Sequence, residues 1–412
     1  MLKTDLAELL ANAENSGVEF KRDDVHPDSL AKEIVALANL RGGTILLGVE
    51  DDGSVSGLTR APQAAETWVM DVCRGNVQPP LIPYWETITW ERDRTVGIIT
   101  IIEAGDKPYK ARRGSAWQTF IRVGSTSREA TRDEEARLYQ QSGMIRYELK
   151  PVPGAELADL DMRRLVAYFL RHRQQDAPDA SDAGAWQRLL LNTELMVEAS
   201  GRVTPTVGGM LLFGRAPSRF LPQAGFTVVA FEGLEKDYAA KERATLRGPM
   251  APLLDEKAEL VEAGLVEQAL AFVQRNAPPG AGLVDGRRIT HSAFPVEAIR
   301  EAVVNALVHR DYSIAGTDIE LSLFADRLEI VSPGRLPNTI TVERMRTGCR
   351  YARNELLKET MRDFGYLEAT GMGVPRKIIS TYRKLEARDP DLIADEAQFI
   401  VRLWRVDDPK RE

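Results

Sequence analysis

The chain has 412 residues, of which 43% are hydrophobic and 28% are charged, and its formal net charge at pH 7 is -7. This length is sufficient for two or three domains, each with its own hydrophobic core. The composition is typical of a globular protein. No apolar run reaches the roughly 20 residues that span a bilayer, so we expect a cytoplasmic protein without membrane contact. The acidic balance excludes a uniformly basic nucleic-acid-binding surface but not a local basic patch.

The first third of the sequence predicts helices that alternate with strands. An amphipathic helix over residues 1–20 precedes the strand-like segment VEFKR, and a second helix is predicted at about 29–39. A pair of glycines leads into the strand TILLGVE, which ends at a DDG turn. After a helix near 62–75, the runs ETITWE, TVGIITIIEA and FIRVG predict strands that pair in a sheet.

The remainder of the chain also mixes helices and strands. Residues 150–160 have the proline content of a linker, helices are predicted near 159–174 and 184–199, and TVGGMLLFG forms a helix or a strand. A long helix is predicted at about 250–275. The chain is therefore expected to consist of an N-terminal domain, a helical connector and a C-terminal domain. The predicted regions are 1–148, 149–200 and 201–412.

The segment AIREAVVNALVHRDY, residues 298–312, has helical apolar spacing and carries two polar residues of a kind found at nucleotide sites. Glu301 and Asn305 are four residues apart, so both leave one face of the helix. A carboxylate and a carboxamide placed in this way can polarise a water molecule and help to ligate Mg²⁺ beside a triphosphate. A solvated helix face is the alternative. Two glycine-marked turns downstream, SPGRLP and ATGMG, favour the nucleotide interpretation.

Acidic residues also cluster around the first two predicted strands. Glu14 and Glu19 flank the junction between the first helix and the first strand, and Lys21 follows on the same strand face. Asp51 comes where the next strand ends. If the two strands are neighbours, these side chains converge at one edge of the sheet, where they can hold a divalent cation and steady a phosphate. Ordinary polar residues at strand ends are the alternative.

Between residues 107 and 128 the charge is one-sided. The window contains six basic residues and no acidic one, and Tyr109, Trp117 and Phe120 are interleaved with them. Such a strip is suited to contact phosphates, while the aromatic rings can stack on unpaired bases. The alternative is a solvated hairpin whose aromatic side chains face the core. The basic residues, here named the basic strip, are Lys107, Lys110, Arg112, Arg113, Arg122 and Arg128.

Three blocks in the first 140 residues resemble the Schlafen-type AlbA-like domain: NAENSGVEFKR, IVALANLRGGTILLGVEDDGSVSGL and FIRVGSTSREAT. In eukaryotic Schlafen relatives, two glutamates and an aspartate form the metal site of a ribonuclease that acts on structured RNA such as tRNA. The resemblance implies that Glu14, Glu19 and Asp51 bind Mg²⁺ or Mn²⁺. Glu50 and Asp52 flank Asp51 and are alternatives for its role. Many bacterial members are described only as DNA-binding, so the implied partner is RNA or DNA.

Residues from about 200 to 405 resemble the ATP-binding family often labelled as relatives of the RecG helicase, whose domain is similar to the GHKL ATPases. The blocks that carry this resemblance are TVGGMLLFGRAPSRFLPQA, FPVEAIREAVVNALVHRDYS, DRLEIVSPGRLP, YARN and LEATGMGVPRKI. It implies ATP as ligand, Glu301 as the residue that activates water and Asn305 as a ligand of Mg²⁺. The further nucleotide-binding residues that it implies are His309, Asp311, Gly334, Gly371 and Gly373. The chain has no GxxxxGK[ST] loop, so helicase activity is not expected.

Ser332 stands where most GHKL proteins have an aspartate that recognises the adenine amino group. A hydroxyl accepts a hydrogen bond but carries no charge, so we expect lower adenine affinity and selectivity. Binding of ATP is therefore expected more than fast hydrolysis. GHKL domains commonly close or dimerise around ATP, so the resemblance also implies a homo-oligomer in which the nucleotide favours one arrangement.

Together these features imply an α/β (α+β) fold: an AlbA-like mixed sheet with helices, the helical connector and a GHKL-like α/β sandwich. The first functional hypothesis is a metal-dependent ribonuclease controlled by nucleotide binding, with a role in stress or phage defence. The alternative is an ATP-responsive DNA-binding transcriptional regulator without nuclease activity. A third hypothesis is an ATPase-like scaffold in a larger complex.

Overall fold

The computed structural model describes residues 2–102, 106–142, 146–277, 279–284, 287–336, 340–348, 352–368, 371–395 and 397–406. The chain divides into two compact units, Met1–Ile145 and Arg146–Glu412, and each has its own hydrophobic core. The segment predicted as a helical connector, 149–200, lies in the second unit and contributes Leu165 and Trp186 to its core. In the described part of the chain, no helix is long and apolar enough to cross a membrane.

The first unit alternates helices and strands in the order expected from the sequence. Its helices are α1 (Lys3–Ala11), α2 (Pro27–Asn39), α3 (Pro62–Gly75) and α4 (Arg132–Gln141). Its strands are β1 (Val18–Lys21), β2 (Gly42–Leu47), β3 (Val77–Gln78), β4 (Tyr84–Thr89), β5 (Thr95–Ile102), β6 (Lys110–Arg113), β7 (Ala116–Val123) and β8 (Thr126–Glu129).

These strands form two four-stranded sheets, with the orders β1-β2-β5-β4 and β3-β6-β7-β8. β1 and β2 are parallel neighbours, and the other pairs are antiparallel. The first two strands are therefore neighbours, which is the condition on which the expected acidic cluster depends. β6 and β7 form a hairpin in which Arg112 lies opposite Trp117 and Arg113 lies opposite Ala116.

Helix α2 connects the two sheets of the first unit. Its apolar residues are buried along its whole length and pack with side chains of β2, β5 and β7. The helix begins with Pro27, which suits the first turn because that position needs no N–H partner. At its other end, the Asn39 amide donates to the carbonyls of Tyr109 and Phe120 and accepts from the Tyr109 N–H. The end of α2 is thus bonded to the second sheet.

The second unit is also a mixed α/β structure. Its helices are α5 (Met162–Arg171), α6 (Ala183–Asn192), α7 (Val207–Phe213), α8 (Pro217–Phe220), α9 (Leu265–Asn276), α10 (Val296–His309), α11 (Val342–Thr347), α12 (Glu355–Asp363) and α13 (Ser380–Lys384). A π-helical segment, Val374–Ile379, precedes α13. The strands are β9 (Met196–Ala199), β10 (Arg202–Pro205), β11 (Phe226–Phe231), β12 (Ala240–Leu246), β13 (Leu253–Leu254), β14 (Leu260–Glu262), β15 (Pro279–Val284), β16 (Arg287–Ser292), β17 (Ile319–Leu323), β18 (Arg327–Pro333), β19 (Asp391–Ala394) and β20 (Gln398–Trp404).

A six-stranded sheet organises the second unit. Its order is β12-β11-β17-β18-β20-β19, with β11 and β17 parallel and the other pairs antiparallel. Val228, Leu321, Ile330 and Val401 are opposite one another on four neighbouring strands, so their side chains share one face of the sheet, where they join the core. Helices α9 and α10 contribute their apolar residues to the same core. Helix and sheet layers packed in this way confirm the α+β prediction for this part of the chain.

The long helix predicted at about 250–275 is wrong in its first half. The short hairpin β13–β14 occupies that region, and α9 begins only at Leu265. Pro249 and Pro252 disfavour a helix at its predicted start. Gly264 caps α9, and its N–H donates to the carboxylate of Glu267 at 3.0 Å. The helix therefore starts where its first-turn donors find a partner.

Candidate functional site

Helix α10 places two polar side chains against a cavity in the second unit. Its apolar face is buried, and the Asn305 Nδ2 donates to the Glu301 Oε1 at 3.0 Å. This confirms the prediction that the two side chains share one helix face. Both line the cavity, together with residues of β18, β20 and α12 and the turns around Gly334 and Gly371.

The cavity combines a polar part with an apolar part. Its charged and polar lining residues are Glu301, Asn305, His309, Ser332, Arg335, Lys358 and Glu368. Its larger apolar lining residues are Ile330, Leu336, Ile340, Met345, Leu367, Val374, Phe399 and Val401. A concave site with apolar walls and a few polar groups is typical of small-molecule binding. The mixture suits a ligand that has both apolar and charged groups.

Glu301 is buried and incompletely bonded. Only 3% of the residue is exposed, and its Oε2 has no hydrogen-bond donor among the described residues. The Lys377 Nζ lies 3.8 Å from this oxygen. Burial raises the pKa of Glu301, while the hydrogen bond from Asn305 and the charge of Lys377 act in the opposite direction. A buried carboxylate with a free oxygen is suited to accept a hydrogen bond from a water molecule or a ligand.

Glycines let the backbone approach this carboxylate closely. A Cβ added to Gly373 would overlap the carboxylate of Glu301, so the carboxylate or the turn would have to move to accept a larger residue. Gly371 and Gly334 have positive φ angles of 70° and 109°, a region that favours glycine. All three glycines line the cavity. Residues 369 and 370 of the ATGMG turn lie outside the described part of the chain.

His309 lines the cavity from the last turn of α10. Burial, together with the charges of Arg353 and Lys358, lowers the pKa of His309 to about 4. The imidazole is therefore neutral at pH 7 and presents one donor and one acceptor. It can hydrogen-bond a ligand but adds no positive charge for phosphate.

Asp311 occupies a different place from the one that the sequence predicts. It is absent from the cavity lining among the described residues. Its Oδ1 accepts hydrogen bonds from the backbone and hydroxyl of Ser313, and its Oδ2 lies 3.3 Å from the Arg353 Nη1. Asp311 therefore orders the loop behind Gly334. A direct contact with nucleotide is not supported for this residue.

Ser332 faces the cavity from β18 and is buried. Its Oγ donates to the carbonyl oxygen of Ala306 at 3.2 Å. Because this bond uses the hydroxyl hydrogen, the oxygen presents only lone pairs to the cavity. The side chain can therefore accept a hydrogen bond from a ligand but cannot donate one.

Sequence analysis missed three cations beside the cavity. Lys358 on α12 and Arg335 line the cavity. The Lys377 Nζ lies 3.8 Å from the Glu301 Oε2 and 3.9 Å from the Glu368 Oε1. The sequence does hold a signal for Lys377, because it follows Gly373 by four residues in a segment with helical spacing. Neither Lys358 nor Arg335 has such a signal, since their approach depends on how distant segments pack.

The predicted acidic cluster of the first unit does not form a metal centre in the structure. Glu14 is half-buried, and its Oε1 accepts from the Phe20 N–H at 2.8 Å. Asp51 is exposed in the turn after β2. In the described ranges, no three His, Cys, Asp or Glu side chains are grouped closely enough to hold a metal ion. The predicted convergence of Glu14, Glu19 and Asp51 on one ion is therefore not supported.

The neighbours of Asp51 are engaged in the turn. The Asp52 Oδ1 accepts from the Ser54 N–H at 2.9 Å, and the Glu50 Oε2 lies 3.8 Å from the Arg22 Nε. Of the three candidate acids at this turn, Asp51 is thus the one with no hydrogen-bond or ion-pair partner among the described residues.

Glu19 is the counter-ion of two cations. Its Oε1 accepts from the Lys21 ammonium, and its Oε2 accepts from the Arg122 Nη1 at 2.5 Å. Arg122 also lies 3.3 Å from the Glu33 carboxylate and donates to the carbonyls of Asn15 and Val18. Its side chain is fully buried. These contacts join β7 to β1 and α2.

Most of the basic strip is not free to contact a ligand. Lys107 and Arg122 are buried, so the prediction that they face phosphate is wrong. Lys110 pairs with Glu135 at 2.7 Å, and Arg128 pairs with Glu134 at the same distance. Both acidic partners lie on α4. The pKa of Glu134 falls to about 2, chiefly because of Arg128.

Two arginines and one aromatic ring of the strip remain exposed. Arg112 and Arg113 lie at the end of the β6–β7 hairpin and have no carboxylate partner among the described residues. Trp117, opposite Arg112, is 40% exposed, whereas Tyr109 and Phe120 are buried. The hairpin tip, defined as Arg112, Arg113 and Trp117, therefore joins two cations to an exposed aromatic ring.

Two family models match the chain. Residues 14–131 match the model described as "Schlafen, AlbA_2", which includes the acidic residues and the hairpin tip. Residues 316–403 match the model described as "Putative ATP-dependent DNA helicase recG C-terminal". The second match covers β18, α12 and Gly373, and α10 precedes it.

The comparison with solved structures finds the DIP2311 protein from Corynebacterium diphtheriae, with 20% identity and a TM-score of 0.45 over 98% of this chain and 80% of that chain. It also finds the N-terminal domain of a RecG-related protein from Nitrosomonas europaea, with 24% identity and a TM-score of 0.25 over 32% of this chain and 94% of that chain. A comparison with curated proteins gives no match.

The two family matches fall in different units. The first unit contains a region that matches an AlbA-type domain, and the second contains a region that matches an ATPase-like domain. More particularly, the first region is similar to the Schlafen AlbA_2 family and the second to the recG C-terminal family.

Proposed function

We propose that the second unit binds ATP together with Mg²⁺ in the cavity beside α10. The observation that carries this proposal is the position of Glu301 and Asn305, which share one helix face and lie opposite the glycines at 371 and 373. Asn305 is the candidate Mg²⁺ ligand, and the glycines, which have no Cβ, would let the backbone approach a bound phosphate. The apolar walls are suited to the base.

The charges around the cavity are also compatible with a triphosphate. Lys358 and Arg335 line it, and Lys377 is placed near Glu301. A neutral His309 supplies hydrogen bonds without charge. Glu301 holds a free carboxylate oxygen where a water molecule can be polarised. Binding of ATP is the primary proposal, and slow hydrolysis is the reaction that Glu301 is placed to assist.

Asn305→Ala tests the nucleotide site. We expect the affinity for ATP with Mg²⁺ to fall about 10- to 100-fold, because hydrogen bonds and ligands to charged groups are each worth about 1.5–3 kcal/mol. Titration calorimetry on the full chain measures this change. Asn192→Ala is the matched control, since Asn192 is exposed at the end of α6. Equal ATP affinity in wild type and Asn305→Ala would contradict the proposal.

We further propose that the first unit binds nucleic acid through the hairpin tip. Arg112 and Arg113 can contact phosphates, and Trp117 can stack on an unpaired base. An exposed aromatic ring beside a cation favours single-stranded segments, which occur in DNA and in structured RNA. The match of the first unit to the AlbA_2 family supports the same function. Cleavage of nucleic acid is not part of this proposal.

The double variant Arg112→Ala/Arg113→Ala tests the hairpin tip. Each lost phosphate contact lowers the slope of log affinity against log salt by about 0.7–0.9, so the slope is expected to fall by about 1.4–1.8. Fluorescence anisotropy with single-stranded DNA and RNA at several salt concentrations measures the slope. Lys110→Gln/Arg128→Gln removes the same charge from paired residues and serves as the control. An equal effect of both double variants would show that the hairpin tip has no special role.

A further inference from the structure

The environment of Glu19 differs from that of a metal ligand. Both carboxylate oxygens are already occupied, one by the Lys21 ammonium and the other by the Arg122 guanidinium. Only 5% of Glu19 is exposed. A divalent cation binds carboxylate oxygens directly and at short distance. It could bind here only after Arg122 or Lys21 had left its carboxylate.

Displacement of the Arg122 side chain from Glu19 is energetically unfavourable, because all three guanidinium nitrogens donate hydrogen bonds. Its Nη2 donates to the carbonyls of Asn15 at 2.7 Å and Val18 at 3.0 Å, and its Nε also donates to Asn15. Its Nη1 reaches the Glu33 carboxylate at 3.3 Å, and the Ser127 hydroxyl donates to the same carboxylate at 2.5 Å. Displacement would leave these carbonyls and two carboxylates without their buried donor.

The carboxylates of this cluster are already compensated. Glu19 and Glu33 carry two negative charges, and Arg122, Lys21 and Lys32 supply three positive charges. A divalent cation would add two further positive charges that no carboxylate of the cluster compensates, which is unfavourable beside buried groups. The donor set therefore does not fit a metal ion in the arrangement that the structure describes.

We infer that Glu19 is the structural counter-ion of Arg122, and that the first unit binds nucleic acid without hydrolysing it. The claim of binding without hydrolysis rests on the proposed nucleic-acid binding, whereas the structural role of Glu19 does not. Glu14 and Asp51 then lack the third carboxylate of the expected metal site, and the described residues contain no other grouping of three that could hold an ion. The Arg122 cluster instead holds β7, and with it the β6–β7 hairpin, against β1 and α2. Arg122 is thus a positioning residue for the hairpin tip.

Three isosteric variants of the full chain test this inference: Glu14→Gln, Glu19→Gln and Asp51→Asn. Glu19→Gln removes the buried counter-ion, so the first unit is expected to melt about 5–10 °C lower. Glu14→Gln keeps the oxygen that accepts from Phe20, and Asp51 is exposed, so both of these variants are expected to melt within about 1 °C of wild type. Thermal unfolding followed by circular dichroism measures these shifts without nucleic acid.

The same proteins are titrated with Mn²⁺ in the absence of nucleotide, and free Mn²⁺ is followed by electron paramagnetic resonance. We expect no saturable submillimolar site in wild type. Each protein is also incubated with tRNA, single-stranded RNA and single-stranded DNA in Mn²⁺ or Mg²⁺, and all substrates are expected to remain intact. A Mn²⁺ site or a cleavage activity that disappears in both Glu14→Gln and Asp51→Asn would overturn the inference.

The outcomes separate this inference from the proposed function. Failure of the chain to bind any nucleic acid would remove the proposed function, yet the unfolding shift and the Mn²⁺ titration would still report on Glu19. An unchanged melting temperature in Glu19→Gln would overturn the structural role of this residue, whatever the nucleic-acid affinity.

Discussion

Gly373→Ala is expected to lower the affinity of the chain for ATP about 10- to 100-fold. The added Cβ would overlap the Glu301 carboxylate, so either the turn or the carboxylate must move. Overpacking of this kind costs about 1–3 kcal/mol, which corresponds to the expected range of affinity. Asn305 is hydrogen-bonded to Glu301, so a shifted carboxylate also displaces the candidate Mg²⁺ ligand. Titration calorimetry with ATP and Mg²⁺ measures the loss.

Gly316→Ala is the matched control for this substitution. Nothing lies within 4 Å of a Cβ added at Gly316, so the change is expected to leave ATP affinity within about twofold of wild type. Circular dichroism of both variants shows whether the second unit remains folded. If Gly373→Ala binds ATP as tightly as Gly316→Ala, the turn after residue 370 does not adjoin the nucleotide.

Arg122→Met is expected to destabilise the first unit by about 3–5 kcal/mol, because it leaves two buried carboxylates without their shared cation. Methionine keeps much of the volume of the arginine stem, so lost packing contributes little. Urea unfolding monitored by tryptophan fluorescence measures the change. The transition of the first unit is expected to move to lower urea, while that of the second unit stays in place.

Arg113→Met serves as the control, because Arg113 is exposed at the hairpin tip and has no carboxylate partner among the described residues. Its expected effect on the unfolding free energy is below about 0.5 kcal/mol. A similarly small effect of Arg122→Met would show that the Arg122 cluster is not important for stability. Nucleic-acid affinity is expected to fall in both variants, directly in Arg113→Met and through loss of the folded hairpin in Arg122→Met.

Much of the secondary structure could be predicted from apolar spacing. α2, α3 and α10 follow the helical period, and β5 and β18 have the β-branched composition of buried strands. The error at 250–275 arose because the apolar residues before Leu265 have a spacing that also fits a helix. Pro249, Pro252 and Gly264 indicate a later start of the helix, because proline and glycine disfavour a helix interior.

The contact between Glu301 and Asn305 could be predicted because it depends on one helix alone. The exposure of the basic strip, in contrast, depends on contacts made by both the strand β7 and the helix α4. Phe120 and Arg122 are two residues apart in β7 and therefore share a face, so an inward Phe120 implies an inward Arg122. The pairing of Lys110 and Arg128 with α4 required knowledge of how that helix packs on the hairpin.

The predicted acidic cluster failed for a related reason. β1 and β2 are adjacent, which was the condition for the cluster, but adjacency of strands does not fix which partner each carboxylate finds. Glu19 forms an ion pair with Arg122, which lies 103 residues later in the chain. A single sequence gives no spacing signal for a contact of that separation.

The central claim is that the cavity beside α10 is a nucleotide site. A crystal structure of the full chain grown with Mg²⁺ and a non-hydrolysable ATP analogue tests it most directly. We predict density for the triphosphate and its metal ion at Asn305 and the glycines at 371 and 373, with the base against the apolar walls near Ile330 and Phe399. An analogue bound elsewhere on the protein, or an empty cavity at a saturating analogue concentration, would contradict the account.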